Sequence, residues 1–549
     1  MEGASGSERR GLARRAGVVS AAVFSSRILG LVREQVFAIC FGAGRELDAF
    51  VTAFRIPNLF RDLFAEGALS AAFVTTFTQE EARRGEAAAW RLANLVVNAL
   101  ALIVASVCVV GIIWAPEITR AIAPGFESIA GKTLLTQRLT RIMFPFLLLV
   151  ALAAVAMGIL NMRNRFGVPA AASTFFNLGS IVGGLGCAWW LAPEYFAAAS
   201  KMGLRATEGL DPALAERAIT GMAMGTLIGG LCQLLIQLPS LRRVGYRYKP
   251  ILSFRDPGVR QVLRLMAPAT IGAAAVQVNV FVNSNFASYL GDGPVSWLNV
   301  AFRFMQLPIG LFGVAIGTAA LPTLSRQVAA GDTTALARTL RHSLEMVAAL
   351  CVPAAVGLAV FGVPIIGLIY EHGRFTHADT MAASDALRAY AVGLAGYAGI
   401  KVLAPVFYAL DDARTPMLVS LVSIVVNLTL NWTLVRVVGL GHVGLALSTS
   451  VVALGNCALL FVFLRRRIGA LGGHLAGTLA RIVLAATVMG GVGVAVDRAS
   501  SAALPASASI RYALELAIAA PVCLSSFLVV AHLLGVPLPW GRRPRRVNR

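Results

Sequence analysis

Long apolar runs of roughly 20 positions or more, separated by short polar stretches, recur from near residue 17 to near residue 534. A helix must be about that long to cross a bilayer, and only helices or closed barrels satisfy their backbone hydrogen bonds there. The pattern therefore predicts an all-α polytopic membrane protein with fourteen transmembrane helices. Six are expected near 17–42, 49–77, 90–116, 140–160, 168–192 and 218–240. Six more fall near 263–290, 297–323, 342–370, 384–409, 416–437 and 443–464, and two further spans near 478–497 and 511–534.

A short motif repeats along this array. Phe37-Ala38 followed by Gly42 and Gly44 recurs as Phe286-Ala287 followed by Gly291 and Gly293. Ala53-Phe54-Arg55 recurs as Ala301-Phe302-Arg303, the two matches lying at offsets of 249 and 248 residues. An even number of spans separates the copies, so the duplication is parallel, and such repeats place a substrate path at the interface of the halves. The expected organisation is a tail at 1–16, an N-lobe at 17–240, a basic cytoplasmic linker at 241–262 and a C-lobe at 263–467. Each lobe holds six helices. Two C-terminal helices at 478–535 and a basic tail at 536–549 complete the chain.

Composition agrees with this class. Hydrophobic residues make up 57% and charged residues 14%, against about 25% charged in soluble domains, and the mean hydropathy is +0.74. Lys and Arg number 48 against 27 Asp and Glu, a formal charge of +21. In a soluble chain that excess would point to nucleic acid; here cytoplasmic loops account for it first, and no nucleic-acid partner is expected. With the N-terminus inside, the loops on that side carry roughly 29 cations against about 13 opposite, so both termini are expected in the cytoplasm. No cleavable signal pattern interrupts the first span, which is expected to stay in the protein. The seven cysteines lie singly in apolar stretches and read as buried free thiols.

Six cations lie inside the apolar segments: Arg27, Arg33, Arg55, Arg61, Arg303 and Lys401. A charge at mid-bilayer costs about 2.5–3.5 kcal/mol on the insertion scale, so six facing lipid would cost on the order of 15–20 kcal/mol. That is as much as a typical domain's whole net stability. They must face protein or water, or snorkel to the interface, which remains the simpler reading for Arg27 and Arg33. In the second span Asp48, Thr52, Arg55, Asp62, Glu66 and Ser70 follow helical spacing along one side, with Arg61 beside them. This predicts a wet helix face. The competing reading is a closed set of ion pairs that fastens the helices together. Acids in the spans are fewer than cations, which leaves a net positive cavity suited to a phosphate or pyrophosphate.

The remaining motifs carry little. GFESIAGKT at 125–133 has the wrong glycine spacing for a phosphate loop, and no metal-ligand or hydrolase pattern is present. Gly221-x-x-x-Gly225 and Gly313-x-x-x-Gly317 predict close helix packing. Asn427 and Asn431, one turn apart, offer either oxygen ligands for a cation or hydrogen bonds between helices.

The run SRILGLVREQVFAICFGAGRELDAFVTAFRIPNLFRDLFAEGALSAAFV at 26–74 closely resembles the start of the MurJ (MviN) lipid II flippases. Further similar segments are APGF (123–126), NRFGVPA (164–170), SWLNVAFRFMQLPIGLFGVAIGT (296–318), YEHGRFT (370–376) and KVLAPVFYALDDARTP (401–416), in family order over about residues 17 to 500. The resemblance implies the fold of the multidrug/oligosaccharidyl-lipid/polysaccharide exporter superfamily, with the last two helices forming a groove for a lipid tail. It also implies the job: moving the undecaprenyl-pyrophosphate-linked peptidoglycan precursor, lipid II, from the inner to the outer leaflet of the bacterial cytoplasmic membrane. Carried over by position, the family's cavity residues fall on Arg27, Arg33, Asp48, Arg61, Glu66 and Arg303. Arg55 and Lys401 join them through their burial. Where some members place acids beside the arginine, this chain has Phe302 and Gln306, and in the seventh and eleventh spans it offers Gln277, Asn279, Asn283, Asn427 and Asn431 in place of sodium-site acids.

The expectation is thus a flippase working by alternating access, not an enzyme, with no metal and no cofactor. Coupling to the membrane potential or to a monovalent cation stays open, as do partners in the cell-wall synthesis machinery. The alternative within the same superfamily is an exporter of another polyprenyl-linked glycan or of a drug. A membrane enzyme acting on the same lipid would need an acid cluster with a metal or a sizeable aqueous domain, and a non-transporting scaffold would not need six desolvated cations.

Overall fold

The computed structural model of the protein describes residues 2–64, 68–205, 211–469, 473–503 and 508–537. Among these residues all regular structure is helical. Among the described residues, eleven helical stretches are long and apolar enough to cross a membrane. The protein is a multi-pass membrane protein. The three other expected spans fall on the helices Glu2–Phe41, Arg45–Phe64 with Ala68–Arg84, and Pro257–Ser288. The first of these begins within the expected N-terminal tail.

The first compact unit comprises residues 1–295 together with 372–375. Its helices are α1 (Glu2–Phe41), α2 (Arg45–Phe64), α3 (Ala68–Arg84), α4 (Glu86–Ile113), α5 (Ala115–Ile122) and α6 (Lys132–Met143). They continue as α7 (Phe146–Met162), α8 (Gly167–Leu191), α9 (Pro193–Met202), α10 (Pro212–Leu235), α11 (Leu238–Arg243) and α12 (Pro257–Ser288). Lipid is as apolar as leucine, so spanning helices adhere by close packing rather than by hydrophobic burial. Small residues do this between α8 and α10. A Cβ on Gly225 would sit 2.2 Å from the Gly184 Cα, and one on Gly221 only 2.3 Å from the Ala188 nitrogen, so the expected small-residue contact is present. Two helices start on Asp-Pro pairs: Asp211 accepts the Ala213 N–H at 2.9 Å and Asp256 the Gly258 N–H at 2.9 Å, each just before a proline that needs no hydrogen-bond partner.

The division differs from the one expected from the repeat. There the linker 241–262 ended the first half and the span at 263–290 opened the second, whereas contacts place all of α12 with the first unit. The reason is packing: α12 lies against α3 and α2, and Val259, Val262 and Met266 join the core of Phe73, Phe77, Leu92 and Leu147.

The second unit comprises residues 296–371 and 376–549. Its helices are α13 (Pro294–Pro308), α14 (Ala315–Ala329), α15 (Thr333–Val360), α16 (Gly362–Tyr370), α17 (His377–Ala409), α18 (Arg414–Asn431), α19 (Gly441–Ile468), α20 (Leu475–Ala503) and α21 (Ala508–Leu533). Helix α17 packs against α19 and α15 and begins with a reciprocal cap in which the Thr376 N–H donates to Asp379 at 2.8 Å and the Asp379 N–H donates to Thr376 Oγ1 at 3.2 Å. A wide π turn at Ile309–Val314 follows Pro308, whose ring cannot continue an α ladder. Gly317 brings α14 against α17, where a Cβ would meet the Lys401 carbonyl oxygen at 2.4 Å. The hairpin of α20 and α21 is anchored on α15 through Ala348, Ile482, Met489, Ala519 and Phe527.

The duplication is visible in the element order as well. Helix α4 and helix α15 both have 28 residues, and short helices of 8 and 9 residues, α5 and α16, follow them.

Candidate functional site

Five of the expected site residues, Arg27, Arg33, Asp48, Arg55 and Arg61, sit on α1 and α2 in the first unit. Arg33 packs its guanidinium 5.1 Å from the Phe176 ring and 5.8 Å from the Phe54 ring, with Glu34 at 3.5 Å, and only 12% of its side chain is exposed. Aromatic faces stabilise a weakly hydrated guanidinium, so Arg33 is desolvated against protein. One turn of α1 earlier and more, Arg27 is exposed. Arg55 is half-buried and donates to Ser284 Oγ on α12, which ties the helix of the polar stripe to the helix that carries the repeated motif. Arg61 is half-buried. Glu66 lies outside the described residues. In the second unit, Arg303 on α13 is half-buried and Lys401 on α17 is exposed.

Asp48 opens the stripe, and it does not line water. Its carboxylate is fully buried, accepts a bond from Lys132 Nζ at 3.0 Å and accepts the Gly293 N–H at 2.8 Å. The next stripe residue, Thr52, is buried too. Here the fastened ion pair, not the wet face, describes the start of α2. Lys132 itself is fully buried and is held by Asp292 Oδ1 at 2.7 Å, the Gly291 carbonyl at 3.2 Å and the Phe126 ring at 4.2 Å. Removing an ammonium from water costs several kcal/mol, and two carboxylates, a carbonyl and an aromatic face offset it.

Close by, Gly125 and Gly373 come into contact with backbone. The turn Pro124–Ser128 follows α5, and a Cβ on its Gly125 would lie 2.5 Å from the Ser288 carbonyl carbon and the Tyr289 nitrogen. The Gly125 N–H donates to Ser288 Oγ at 3.0 Å. Gly373, about 248 residues later, follows α16 in the same way, and a Cβ there would lie 2.3 Å from the Ile39 carbonyl oxygen. The adjoining Arg374 N–H donates to that oxygen at 3.0 Å. Gly42, with φ +66°, turns the chain between α1 and α2 and leaves room for the Arg374 carbonyl. Tyr195 braces the same turn by donating to the Cys40 carbonyl at 2.5 Å while accepting from Arg374 Nη1 at 3.2 Å. Each repeated loop therefore clasps the hairpin tip of the other copy.

Sequence reasoning missed Lys132, Asp292, Tyr195, Arg374 and Ser288. The signal was present at Gly42 and in the glycines of APGF and YEHGRF, which mark positions where backbones touch. Asn427 and Asn431, whose role stayed open, both accept bonds from Ser448 Oγ of α19, to Asn427 at 3.3 Å, so hydrogen bonding between helices is what they do here. Among the described residues no group of three His, Cys, Asp or Glu is placed to hold a metal.

The sequence profile described as "Lipid II flippase MurJ" matches residues 37–513. The chain belongs to the MurJ family. The Lipid II flippase MurJ of Burkholderia cenocepacia is 36% identical over 454 residues, covering 82% of this chain and 83% of the relative. The probable lipid II flippase MurJ of Vibrio cholerae is 36% identical over 451 residues, covering 81% of each. Among solved structures, a lipid II flippase MurJ in an inward closed conformation superposes with a TM-score of 0.73 at 25% identity, covering 94% of this chain and 99% of that one. An inward-facing MATE multidrug transporter of the MOP superfamily superposes at 0.64 with 16% identity, covering 83% and 98%, and shows the shared fold alone.

Proposed function

We propose that the protein is a lipid II flippase. It carries the undecaprenyl-pyrophosphate-linked peptidoglycan precursor from the inner to the outer leaflet of the bacterial cytoplasmic membrane by alternating access. The observation that carries this reading is the family match over residues 37–513 on a chain whose α1 and α2 hold desolvated or half-buried guanidiniums. Arg27, Arg33, Arg61 and Arg303 hold the pyrophosphate, because a planar fork of donors matches its oxygens and arginine stays charged. Arg55 and Lys401 add positive potential, Glu66 orients the arginines, and Asp48 gates through its pair with Lys132. The isoprenoid tail lies along α20 and α21. Both termini are cytoplasmic, no covalent chemistry occurs, and the protein is a transporter rather than an enzyme. The cycle is coupled to the membrane potential or a monovalent cation, and cell-wall synthesis enzymes are its partners in the membrane. Such a carrier needs moderate affinity, since a state that bound pyrophosphate too tightly would stall.

The test is leaflet accessibility of the lipid-linked precursor after acute depletion of the protein in its own host. Precursor should become inaccessible from outside while total precursor rises. Unchanged accessibility with an altered precursor structure would replace the flippase by an enzyme.

A further inference from the structure

We propose that the segment 244–256, between α11 and α12, is a built seat for anionic phospholipid headgroups at the membrane surface. This goes beyond the transport reading and does not rest on it. The segment has no helix of its own, yet it is fixed. Asn94 and Asn98, one turn apart on α4, hold its backbone. Asn94 Nδ2 donates to the Arg247 carbonyl at 3.0 Å and Asn94 Oδ1 accepts the Lys249 N–H at 2.8 Å. Asn98 Nδ2 donates to the carbonyls of Lys249 at 2.8 Å and Ile251 at 2.9 Å. Tyr246 is buried beside Trp90 and donates to Asn94 Oδ1 at 3.0 Å. Burial pushes its hydroxyl up to about 12, so it keeps the proton it donates.

The two asparagines also set the depth. Helix α4 starts with Glu86 and Arg91 and, from Ala99 to Ile113, runs without a charged residue. The seat is thus pinned where the polar start of a spanning helix gives way to its apolar length. At that level its outward side chains alternate in character. Arg247, Lys249 and Arg255 are exposed, as are Arg243 on α11 and Arg260 on α12 beside them, while Asp256 is occupied in capping α12. Between them Leu252 is 49% and Phe254 41% exposed, and the Tyr248 ring is 62% exposed while its hydroxyl donates to Asn98 Oδ1 at 2.8 Å. Retention of cations on the inner face accounts for the charges, but not for a backbone held by two asparagines or for apolar side chains left open among the cations. Apolar groups that sink into the interface and cations that meet phosphates just above it describe a surface complementary to anionic lipid.

The purified full-length protein is tested in detergent with dioleoyl phosphatidylglycerol against dioleoyl phosphatidylcholine, reading lipids retained by native mass spectrometry and the gain in Tm. Phosphatidylglycerol should be retained preferentially. The triple variant Arg247→Gln, Lys249→Gln, Arg255→Gln leaves every backbone pin in place and should weaken that preference by roughly 100-fold, about fivefold for each cation near an anionic surface. Its transport of precursor in phosphatidylcholine vesicles should be unchanged. Leu252→Ser with Phe254→Ser should lower retention of both lipids alike. Equal retention of the two lipids by the wild type would overturn the proposal. So would a triple variant with undiminished preference, or one that loses precursor binding while still retaining phosphatidylglycerol, since the phosphate recognised would then be the cargo's.

Discussion

Lys132 Nζ lies 3.0 Å from Asp48 Oδ2, and both side chains are fully buried. The two residues come from the start of α6 and the start of α2, and their neighbours Gly291, Asp292 and Gly293 follow the end of α12. Three connections between spanning helices are thereby tied through one ammonium. Any cycle that separates those connections has to break a buried ion pair, which makes the pair a lock.

Removing one partner leaves the other as an unpaired buried charge. Asp48→Asn or Lys132→Met alone should lower stability in detergent by about 3–5 kcal/mol. The double variant should lose less than the sum by at least ~1 kcal/mol, as residues in direct contact do. Thermal unfolding of the four proteins checks this, and strict additivity would show that the pair is not coupled.

The two clasps should behave alike because their glycines stand at equivalent repeat positions. Gly125→Val and Gly373→Val each force a side chain into backbone at 2.5 Å or less and should cost about 1–3 kcal/mol as well as impair precursor transport. Gly186, with open space around its Cβ position, is the control, and Gly186→Ala should be silent. Equal tolerance at all three positions would remove the clasps from the mechanism.

Arg61→Ala and Arg303→Ala should each abolish translocation while the protein stays inserted and abundant, with Lys replacements only partly active because an ammonium lacks the forked donors. Complementation of a depleted strain, with immunoblotting of the membranes, is the measurement. Normal growth on both Ala variants would defeat the assignment of the arginines to cargo.

Asp412, in the connection between α17 and α18, accepts bonds from Thr415 Oγ1 at 2.6 Å and the Thr415 N–H at 3.1 Å, with Arg467 at 3.0 Å. The Thr415 hydroxyl first, then its N–H, holds the carboxyl below its ordinary value of 3.8. A depressed folded pKa means that the ionised group stabilises the fold above 3.8, and that this contribution fades as pH falls through the folded value. Asp412→Asn should therefore flatten the acid limb of a Tm-against-pH curve below about pH 4. A curve parallel to the wild type through that range would show that the group is not linked to folding.

Much of the architecture is legible in one dimension. Hydropathy marks spans because burial in lipid depends on the local run of residues, and the insertion penalty singles out six cations, of which Arg33, Arg55, Arg61 and Arg303 are half-buried in protein while Arg27 and Lys401 are exposed. The two short matches at offsets of 249 and 248 residues were enough to expose the duplication. Helical phase places Asp48 on the polar face of α2, but phase says which residues share a face, not what that face meets.

What meets it was decided only in three dimensions. The partners of Asp48 are 84 and 245 residues away, and Asn94 finds the Arg247 carbonyl 153 residues on. Helix α12 joins the first unit although the repeat assigns it to the second half. Periodicity and composition are properties of neighbours along the chain, and they determined the all-helical membrane fold. Ion pairs, glycine contacts and pinned loops depend on which distant backbones pack within a few ångströms, and that choice is made by the whole set of helices at once.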